Sequence, residues 1–379
     1  MEQLAIRDFR LVAKAELDLH PGTNLLVGEN AQGKTSVLEA IAMLSLGRSF
    51  RAARDRECIA RAASAAARFA SIDARYTEHG LPRRLRLAIE PTKKTVYLDG
   101  KQLRALSELW GHVRTVLFAP SDLRLVSGGP ELRRGVLDTV LGQVRPGYLK
   151  RLGSYQRALQ NRNGLIRDRV AAGDGRYAAF EATMAEAAAL VAAERAQLVP
   201  RLDEAAREAV AALTDGREAL RLTHEPGSLA RDKALATEAL AAGEHAAIAA
   251  AFAECWRRER QADIDRGFTR QGPHRDDLRF DIDGHDARAY ASQGQARTCA
   301  LALRLAELQV HEREGGEKPI LLLDDILGEL DRQRTRGFLR LVATRKVQTV
   351  LTATDAQPVE EGLDVHRRFL VRSGIIGAQ

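Results

Sequence analysis

Eight residues near the start of the chain, 28–35, have the types and spacing of a phosphate-binding loop. They follow the pattern G-x-x-x-x-G-K-T, after the apolar run 24–27 and before an apolar-periodic helix that opens at Ser36. This strand–loop–helix context is what the motif requires, because loop N–H groups and a helix N-terminus attract phosphate oxygens. The segment predicts a site for a nucleoside triphosphate.

Two side chains of this loop carry the expected chemistry. Lys34 would reach the β- and γ-phosphates of ATP, and the Thr35 hydroxyl would bind Mg²⁺. The other predicted nucleotide contacts are Gly28, Glu29, Asn30, Ala31, Gln32, Gly33 and Ser36. ATP and Mg²⁺ are therefore the cofactors that the sequence predicts.

An apolar run that ends in two carboxylates, residues 319–325, supplies the expected partner of the loop. A continuous apolar run fits a parallel strand buried on both faces, and its carboxyl end would lie at the ligand crevice. We assign Asp324 to Mg²⁺, directly or through water, and Asp325 to orienting or deprotonating the attacking water. The predicted catalytic residues are thus Lys34, Asp324 and Asp325. The alternative is that the two carboxylates merely end a surface strand.

The segment 291–297 reads A-S-Q-G-Q-A-R and precedes a long amphipathic helix. Ser292, Gly294 and Gln295 could form a second anion-binding helix start, and we include them among the predicted nucleotide contacts. Serine and glycine are also common helix caps, which leaves an ordinary cap as the alternative.

The positions of these motifs predict the domain organisation. The phosphate loop lies near residue 30 and the carboxylate strand near residue 324, yet one Mg²⁺ requires both on one sheet. We therefore predict an α/β fold with a discontinuous ATPase head, residues 1–125 and 266–379, that includes a β-rich lobe. A mostly helical domain, 126–265, would be inserted between them, because Ala, Leu, Glu and Arg dominate there at helical spacing.

The bulk composition fits a soluble protein of two domains. The chain has 379 residues, 45% apolar and 29% charged, and no run approaches the ~20 apolar residues of a membrane span. The N-terminus lacks a secretory pattern, and three dispersed cysteines suit a reducing cytoplasm. A net charge of +7 favours a polyanionic partner only mildly, since many basic proteins bind no nucleic acid.

Four motifs, in their order along the chain, resemble those of ABC-type ATPases of the SMC class. They are the phosphate loop, S-Q-G-Q, the carboxylate strand and the E-L-D run at 329–331. Finer blocks resemble the RecF family of bacterial recombination mediators. These blocks are residues 8–10, 26–35, 47–51, 121–126 and 272–278. One departure is Ala296, where the family usually carries glutamine.

The resemblance implies how the pieces would act together. Ser292 and Gly294 of one subunit would bind the γ-phosphate of ATP held by the partner subunit's Lys34, so ATP would join two subunits and hydrolysis would release them. It also implies a weak DNA-linked ATPase that binds gapped or junction DNA with single- and double-stranded parts and helps to load a recombinase. The implied partners are the mediators RecO and RecR and the recombinase RecA.

Other classes of protein share part of this pattern. A transporter ATPase subunit usually carries an L-S-G-G-Q signature and a histidine switch, whereas residues 351–355 at the corresponding strand end contain no histidine. A structural tether of the SMC type needs long heptad arms, and here Pro200 interrupts the longest helical run, which predicts a compact lobe. A nuclease-linked ATPase would need a further cluster of metal-binding acids, which the sequence does not show.

Two groups of basic residues each allow two interpretations. Arginines crowd one short segment: Arg48, Arg51, Arg54, Arg56 and Arg61. They either contact a nucleic-acid backbone or form a solvated surface. His274 and Arg275 either approach the nucleotide or a subunit seam, or complete a turn after Pro273.

Overall fold

The computed structural model describes residues 1–60, 69–227, 240, 242–314 and 316–379. The strands are β1 Gln3–Phe9, β2 Val12–Asp18, β3 Thr23–Val27, β4 Ala70–Glu78, β5 Leu81–Ile89, β6 Lys94–Leu98, β7 Lys101–Gln102, β8 Thr115–Phe118, β9 Leu220–Glu225, β10 Asp277–Ile282, β11 His285–Asp286, β12 Ile320–Asp324, β13 Thr349–Ala353, β14 Val365–Arg372 and β15 Ile375–Ala378. The helices are α1 Lys34–Leu46, α2 Arg124–Ser127, α3 Pro130–Val144, α4 Tyr148–Arg167, α5 Gly175–Thr214, α6 His245–Arg266, α7 Ala287–Tyr290, α8 Gln293–Arg313, α9 Arg332–Arg345 and α10 Gln357–Glu360.

The chain divides into two compact units. The first comprises Met1–Leu123, Ala209–Glu218 and Glu307–Gln379, and the second comprises Arg124–Glu208 and Ala219–Ala306. Compactness therefore groups residues 266–306 with the inserted part of the chain, whereas the sequence prediction placed them in the head. The functional domain bounds, 1–125 with 266–379 and 126–265, stay a prediction.

One sheet of the first unit brings the phosphate loop and the carboxylate strand together. Its strand order is β15-β14-β3-β13-β12-β8, and all neighbours are parallel except the β14–β15 hairpin. Every residue of β3, β13 and β12 is buried, as expected for parallel strands covered on both faces. The carboxyl ends of β3 and β12 therefore lie at one edge of the sheet, separated only by β13.

The second sheet of this unit is antiparallel, with strand order β2-β1-β4-β5-β6-β7. In β5, Leu85, Leu87 and Ile89 are buried and alternate with the exposed Arg84 and Arg86. One face of the sheet thus joins the core that also contains α1, while the other face carries charge. This sheet forms the β-rich lobe that the sequence predicts.

The second unit is mostly helical and contains a three-stranded sheet of order β11-β10-β9. Trp256, Tyr155 and Met184 are almost fully buried in its core. Near them, the buried Arg162 donates to Glu181 at 3.0 Å and to Asp263 at 2.9 Å. Pairing both carboxylates with one guanidinium offsets the cost of burying the three charges.

The expectation that Pro200 interrupts its helix is wrong. The helix α5 continues from Gly175 to Thr214 with Pro200 inside it. A proline removes one intrahelical hydrogen bond, but Leu198, Val199 and Leu202 on either side are at most 3% exposed, and their burial stabilises the helix across it. Among the described helices, none is both long and apolar enough to cross a membrane.

Candidate nucleotide site

The loop between β3 and α1 has the backbone conformation that its sequence predicts. Ala31 and Gly33 have φ of 62° and 110°, so the chain curls in a way that L-residues rarely adopt. Gly28 is needed for space, because a Cβ there would lie 2.3 Å from the carbonyl oxygen of Val371. The loop is therefore held tightly against the sheet while residues 29–31 stay exposed.

Lys34, the first residue of α1, is only 6% exposed. Its ammonium donates hydrogen bonds to the carbonyl oxygens of Gly28 and Glu29, at 2.6 and 2.9 Å. Burial lowers the pKa of Lys34, while the nearby Asp325 and Asp324 act in the opposite direction. Among the described residues no carboxylate lies within ion-pair distance of this buried cation, so a phosphate at the loop would supply the countercharge it lacks.

Two hydroxyl groups connect the loop to the Asp324 carboxylate and to the backbone of Asp325, at the carboxyl end of β12. Thr35 donates through Oγ1 to Oδ1 of Asp324 at 2.7 Å, although the two residues are 289 positions apart in sequence. Thr352, at the end of β13, donates to the same oxygen at 3.1 Å. Its hydroxyl in turn accepts from the backbone N–H of Asp325 at 2.9 Å. Thr352 was missed by sequence reasoning, because a lone threonine at a strand end carries no pattern.

The environment of Asp324 suits a hard cation. The residue is 6% exposed, and burial raises its pKa, which the hydrogen bonds from Thr35 and Thr352 oppose. Both hydroxyls bond Oδ1, and no described residue donates to Oδ2. A carboxylate and a hydroxyl in contact are oxygen ligands of the kind that Mg²⁺ prefers, and the cation would offset the cost of the buried charge.

Asp325 has a left-handed backbone, with φ of 50°. This conformation, together with the hydrogen bond to Thr352, turns the chain sharply where β12 ends. A short 3₁₀ helix, Ile326–Glu329, follows, and Asp331 then caps α9 by accepting from the N–H of Arg334 at 2.9 Å. The E-L-D run thus starts a helix directly behind the carboxylate pair.

A fully buried carboxylate, Glu39 in α1, organises the segment that follows this helix. Arg10 donates to both of its oxygens, at 3.0 and 2.6 Å, and the Ser49 hydroxyl also donates to it. Ser49 in turn accepts from the N–H groups of Arg51 and Ala52, at 2.9 and 2.7 Å. These contacts fix the turn that carries Arg51, whose charge acts on Asp324.

The segment predicted to bind a second phosphate lies in the second unit. Ser292 accepts from the N–H of Gln295 at 3.2 Å, and Gln295 accepts through Oε1 from the N–H of Ser292 at 3.0 Å. This reciprocal pair is a capping box at the start of α8, so Ser292 and Gln295 do form the helix cap that was the alternative interpretation. Ser292 remains exposed and Gly294 half-buried, which leaves the helix N-terminus accessible to an anion.

Two basic residues of the block 272–278, His274 and Arg275, contact other residues of the second unit. His274 contacts the Tyr155 hydroxyl through Nδ1 and the carbonyl oxygen of Thr269 through Nε2, at 3.0 Å. Burial lowers the pKa of His274 to about 4, so the ring is neutral near pH 7. Arg275 is exposed and lies over the Phe268 ring at 4.9 Å. Among the described residues, no group of three or more His, Cys, Asp or Glu side chains could hold a metal ion.

The arginine-rich segment is partly engaged within the first unit. Arg51 lies 4.0 Å from Glu39, and the guanidinium of Arg48 lies 6.0 Å from the centre of the Trp110 ring. Arg54 and Arg56 are exposed. The fifth arginine of the predicted patch, at position 61, lies outside the described residues.

Comparisons with known proteins agree over the whole chain. The family model for the RecF/RecN/SMC N-terminal domain matches residues 1–376. The DNA replication and repair protein RecF of Halalkalibacterium halodurans is 37% identical over 95% of this chain and 94% of its own length. The protein of the same name from Lactobacillus delbrueckii subsp. bulgaricus is 37% identical over 97% of this chain and 94% of its length.

A solved structure gives the same result for the fold. The structure of the recombination mediator protein RecF with ATP, in the RecFOR pathway, has a TM-score of 0.85 and 27% identity, covering 100% of this chain and 97% of that one. The mixed α/β architecture and the resemblance drawn from the motifs are both confirmed. The chain therefore belongs to the RecF family of DNA replication and repair proteins, with the ABC-type ATPase fold of the SMC class.

Proposed function

We propose that this chain is an ATP-dependent DNA-binding protein of recombinational repair, which dimerises on ATP and hydrolyses it slowly. The observation that carries the proposal is the hydrogen bond of 2.7 Å from the Thr35 hydroxyl, at the end of the loop, to the Asp324 carboxylate, at the end of β12. Beside them lies the buried Lys34, which has no carboxylate partner among the residues that the structure describes. Together they form a site in which the Lys34 ammonium can bind phosphates and the oxygens of Thr35 and Asp324 can bind a metal ion.

In this proposal the loop residues bind the nucleotide. The N–H groups of residues 28–36 and the N-terminus of α1 receive the phosphate oxygens, and Lys34 exchanges its two carbonyl acceptors for them. Thr35 and Asp324 hold Mg²⁺, which would offset phosphate charge when bound. Thr352 keeps Asp324 oriented, because its hydroxyl donates to the same carboxylate oxygen that Thr35 contacts.

Hydrolysis is assigned to Asp325 as the residue that orients or deprotonates the attacking water. Its backbone is fixed by the hydrogen bond to Thr352, and its charge is close enough to act on Lys34. A carboxylate near the lysine that binds the terminal phosphate lies in the right region to receive a proton from water.

Dimerisation is assigned to the exposed start of α8. Ser292, Gly294 and Gln295 would contact the γ-phosphate held by a second copy, using the positive end of the helix. Ser292 can take part because its hydroxyl hydrogen is not used by the capping box, in which the oxygen is the acceptor. We retain the head of 1–125 with 266–379 as the functional unit, with 126–265 as the insertion.

Support for DNA and for mediator partners comes from relatives and from charge. The RecF structure that resembles this chain is described as a recombination mediator in the RecFOR pathway, and this chain carries a net charge of +7. We propose gapped or junction DNA as the target, RecO and RecR as partners, RecA as the recombinase that is loaded, and the cytoplasm as the location.

The proposal is tested by Lys34→Met with Lys93→Met as the matched control, because the Lys93 side chain is 64% exposed and outside the site. We expect the first variant to lose binding of ATP-Mg²⁺ and the second to retain it. Sedimentation velocity with and without ATP then measures dimerisation. The same measurement is repeated with gapped DNA present to detect the DNA complex. Unchanged ATP affinity in Lys34→Met would refute the assigned site.

A further inference from the structure

The phosphate loop is supported from behind by the C-terminal hairpin, β14 and β15. A Cβ on Gly28 would lie 2.3 Å from the carbonyl oxygen of Val371 in β14. At the other end of the loop, a Cβ on Gly33 would lie 3.5 Å from the Cα of Gly374. Because the hairpin packs against both ends of the loop, the two cannot move independently.

Gln32, near the tip of the loop, directs its side chain to the turn of this hairpin. Its Oε1 atom accepts from the backbone N–H of Ser373 at 2.6 Å and from the Ser373 hydroxyl at 3.4 Å. Its backbone carbonyl accepts from the N–H of Gly374 at 2.9 Å. Both residues of the turn therefore donate to one residue of the phosphate loop.

The turn can adopt this position only with glycine at 374. Ser373 and Gly374 have φ of 47° and 78°, as in the two-residue turns that connect hairpin strands. A Cβ on Gly374 would lie 1.9 Å from the carbonyl oxygen of Leu11, in the turn between β1 and β2. The hairpin turn thus rests on Leu11 on one side and donates to Gln32 on the other.

We propose that the Ser373–Gly374 turn is a positioning element of the nucleotide site and that it acts through Gln32. The loop N–H groups point at an anion only in a narrow range of backbone conformations, and fixing Gln32 selects that range before the nucleotide binds. The Gln32 side chain therefore serves the hairpin rather than the phosphates. This inference rests on the proposed nucleotide site and names the element that sets its affinity.

Gly374→Ala tests the hairpin side, with Gly377→Ala in β15 of the same hairpin as the matched control. A Cβ at position 377 meets no atom within 4 Å among the described residues. We would measure the dissociation constant of a fluorescent ATP analogue and the melting temperature without nucleotide. Gly374→Ala should weaken binding about five- to tenfold, as expected for lost hydrogen bonds, and Gly377→Ala should leave it unchanged.

Gln32→Met tests the loop side without adding strain, because methionine has a similar length and lacks the acceptor. It should weaken binding about fivefold with little change in melting temperature, since Gln32 is half-buried. The double variant of Gln32 and Gly374 should bind no more weakly than the worse single variant, because both changes break the same contact. In the wild type, ATP should slow hydrogen exchange at Ser373 and Gly374, as linkage requires.

Wild-type affinity in both single variants would overturn the proposal. Fully additive losses in the double variant would also overturn it, because the two residues would then act separately. A lower melting temperature with unchanged affinity would assign the turn a structural role only. If the wild-type protein binds no ATP analogue at all, the proposed function fails and this inference fails with it.

Discussion

Replacing His311 by leucine should make the first unit less sensitive to acid. His311 lies in α8, is 1% exposed, and neither of its ring nitrogens has a hydrogen-bond partner among the described residues. Burial lowers its pKa to about 3, and the positive charge of Arg114 acts in the same direction. The unfolded chain therefore binds the proton more tightly than the folded protein does.

The expected size follows from the two pKa values. The contribution of His311 to stability is complete above the ordinary pKa of 6.5 and is lost as the pH falls towards about 3. Each pH unit below 6.5 costs about 1.4 kcal/mol of unfolding free energy, so a change from pH 7.5 to pH 5 costs about 2 kcal/mol. His311→Leu should not show this loss, and at pH 7.5 it should be at least as stable as the wild type.

The assay needs a signal from the first unit alone. The chain has two tryptophans, so Trp256→Phe as a common background leaves Trp110 as the fluorescent reporter in the unit that contains His311. Urea unfolding at pH 7.5 and pH 5 then gives the difference between wild type and variant. His79→Leu is the matched control, because the His79 side chain is 73% exposed.

If His311→Leu and the wild type lose the same free energy between the two pH values, the acid sensitivity does not come from this ring. Equal protection by His79→Leu would contradict the reasoning as well, because the exposed His79 side chain does not share the burial to which the effect is assigned.

Three further variants test the proposed cycle. Asp325→Asn should retain ATP binding and slow ATP hydrolysis about a hundredfold or more, which would trap the dimer. A wild-type rate of hydrolysis in this variant would show that another group activates the water. Ser292→Arg should leave ATP binding by one subunit intact and prevent ATP-dependent dimerisation, and a normal dimer peak in sedimentation would exclude Ser292 from the interface. Charge reversal of Arg48, Arg51 and Arg54 together should weaken DNA binding with ATP present and flatten its salt dependence by roughly 0.9 per lost phosphate contact. If the variant still binds ATP, and its plot of log DNA affinity against log salt coincides with that of the wild type, the DNA surface lies elsewhere.

Sequence alone was enough to predict those parts of the site that one continuous segment carries. The phosphate loop and the apolar strand that ends at Asp324 are local patterns, because each combines a required spacing with a required context. Their meeting on one sheet also followed, since a single metal cannot be reached from two separate sheets. The catalytic and binding roles of these residues stay predictions.

The parts that sequence reasoning missed are contacts between single residues far apart in the chain. Glu39 looked like one charged residue of a helix, yet it is fully buried, because Arg10 neutralises its charge and the Ser49 hydroxyl donates a hydrogen bond from another segment. Thr352 and the Ser373–Gly374 turn gave no motif for the same reason. For Pro200 the local rule was correct about the lost hydrogen bond, but tertiary burial outweighed it.

The position of β3 in its sheet has a consequence for how the protein is made. Thr23 pairs with Thr349 and with Val365, and the N-terminal ammonium of Met1 donates to Gln348, 347 positions away. At ordinary rates of translation the ribosome needs roughly 15 to 70 seconds to produce these partners, and until then β3 is an apolar segment without its two partner strands. Nascent chains should therefore need protection from aggregation at this strand. An incomplete chain that lacks β13 and β14 cannot form the phosphate loop, so truncated products should not bind nucleotide.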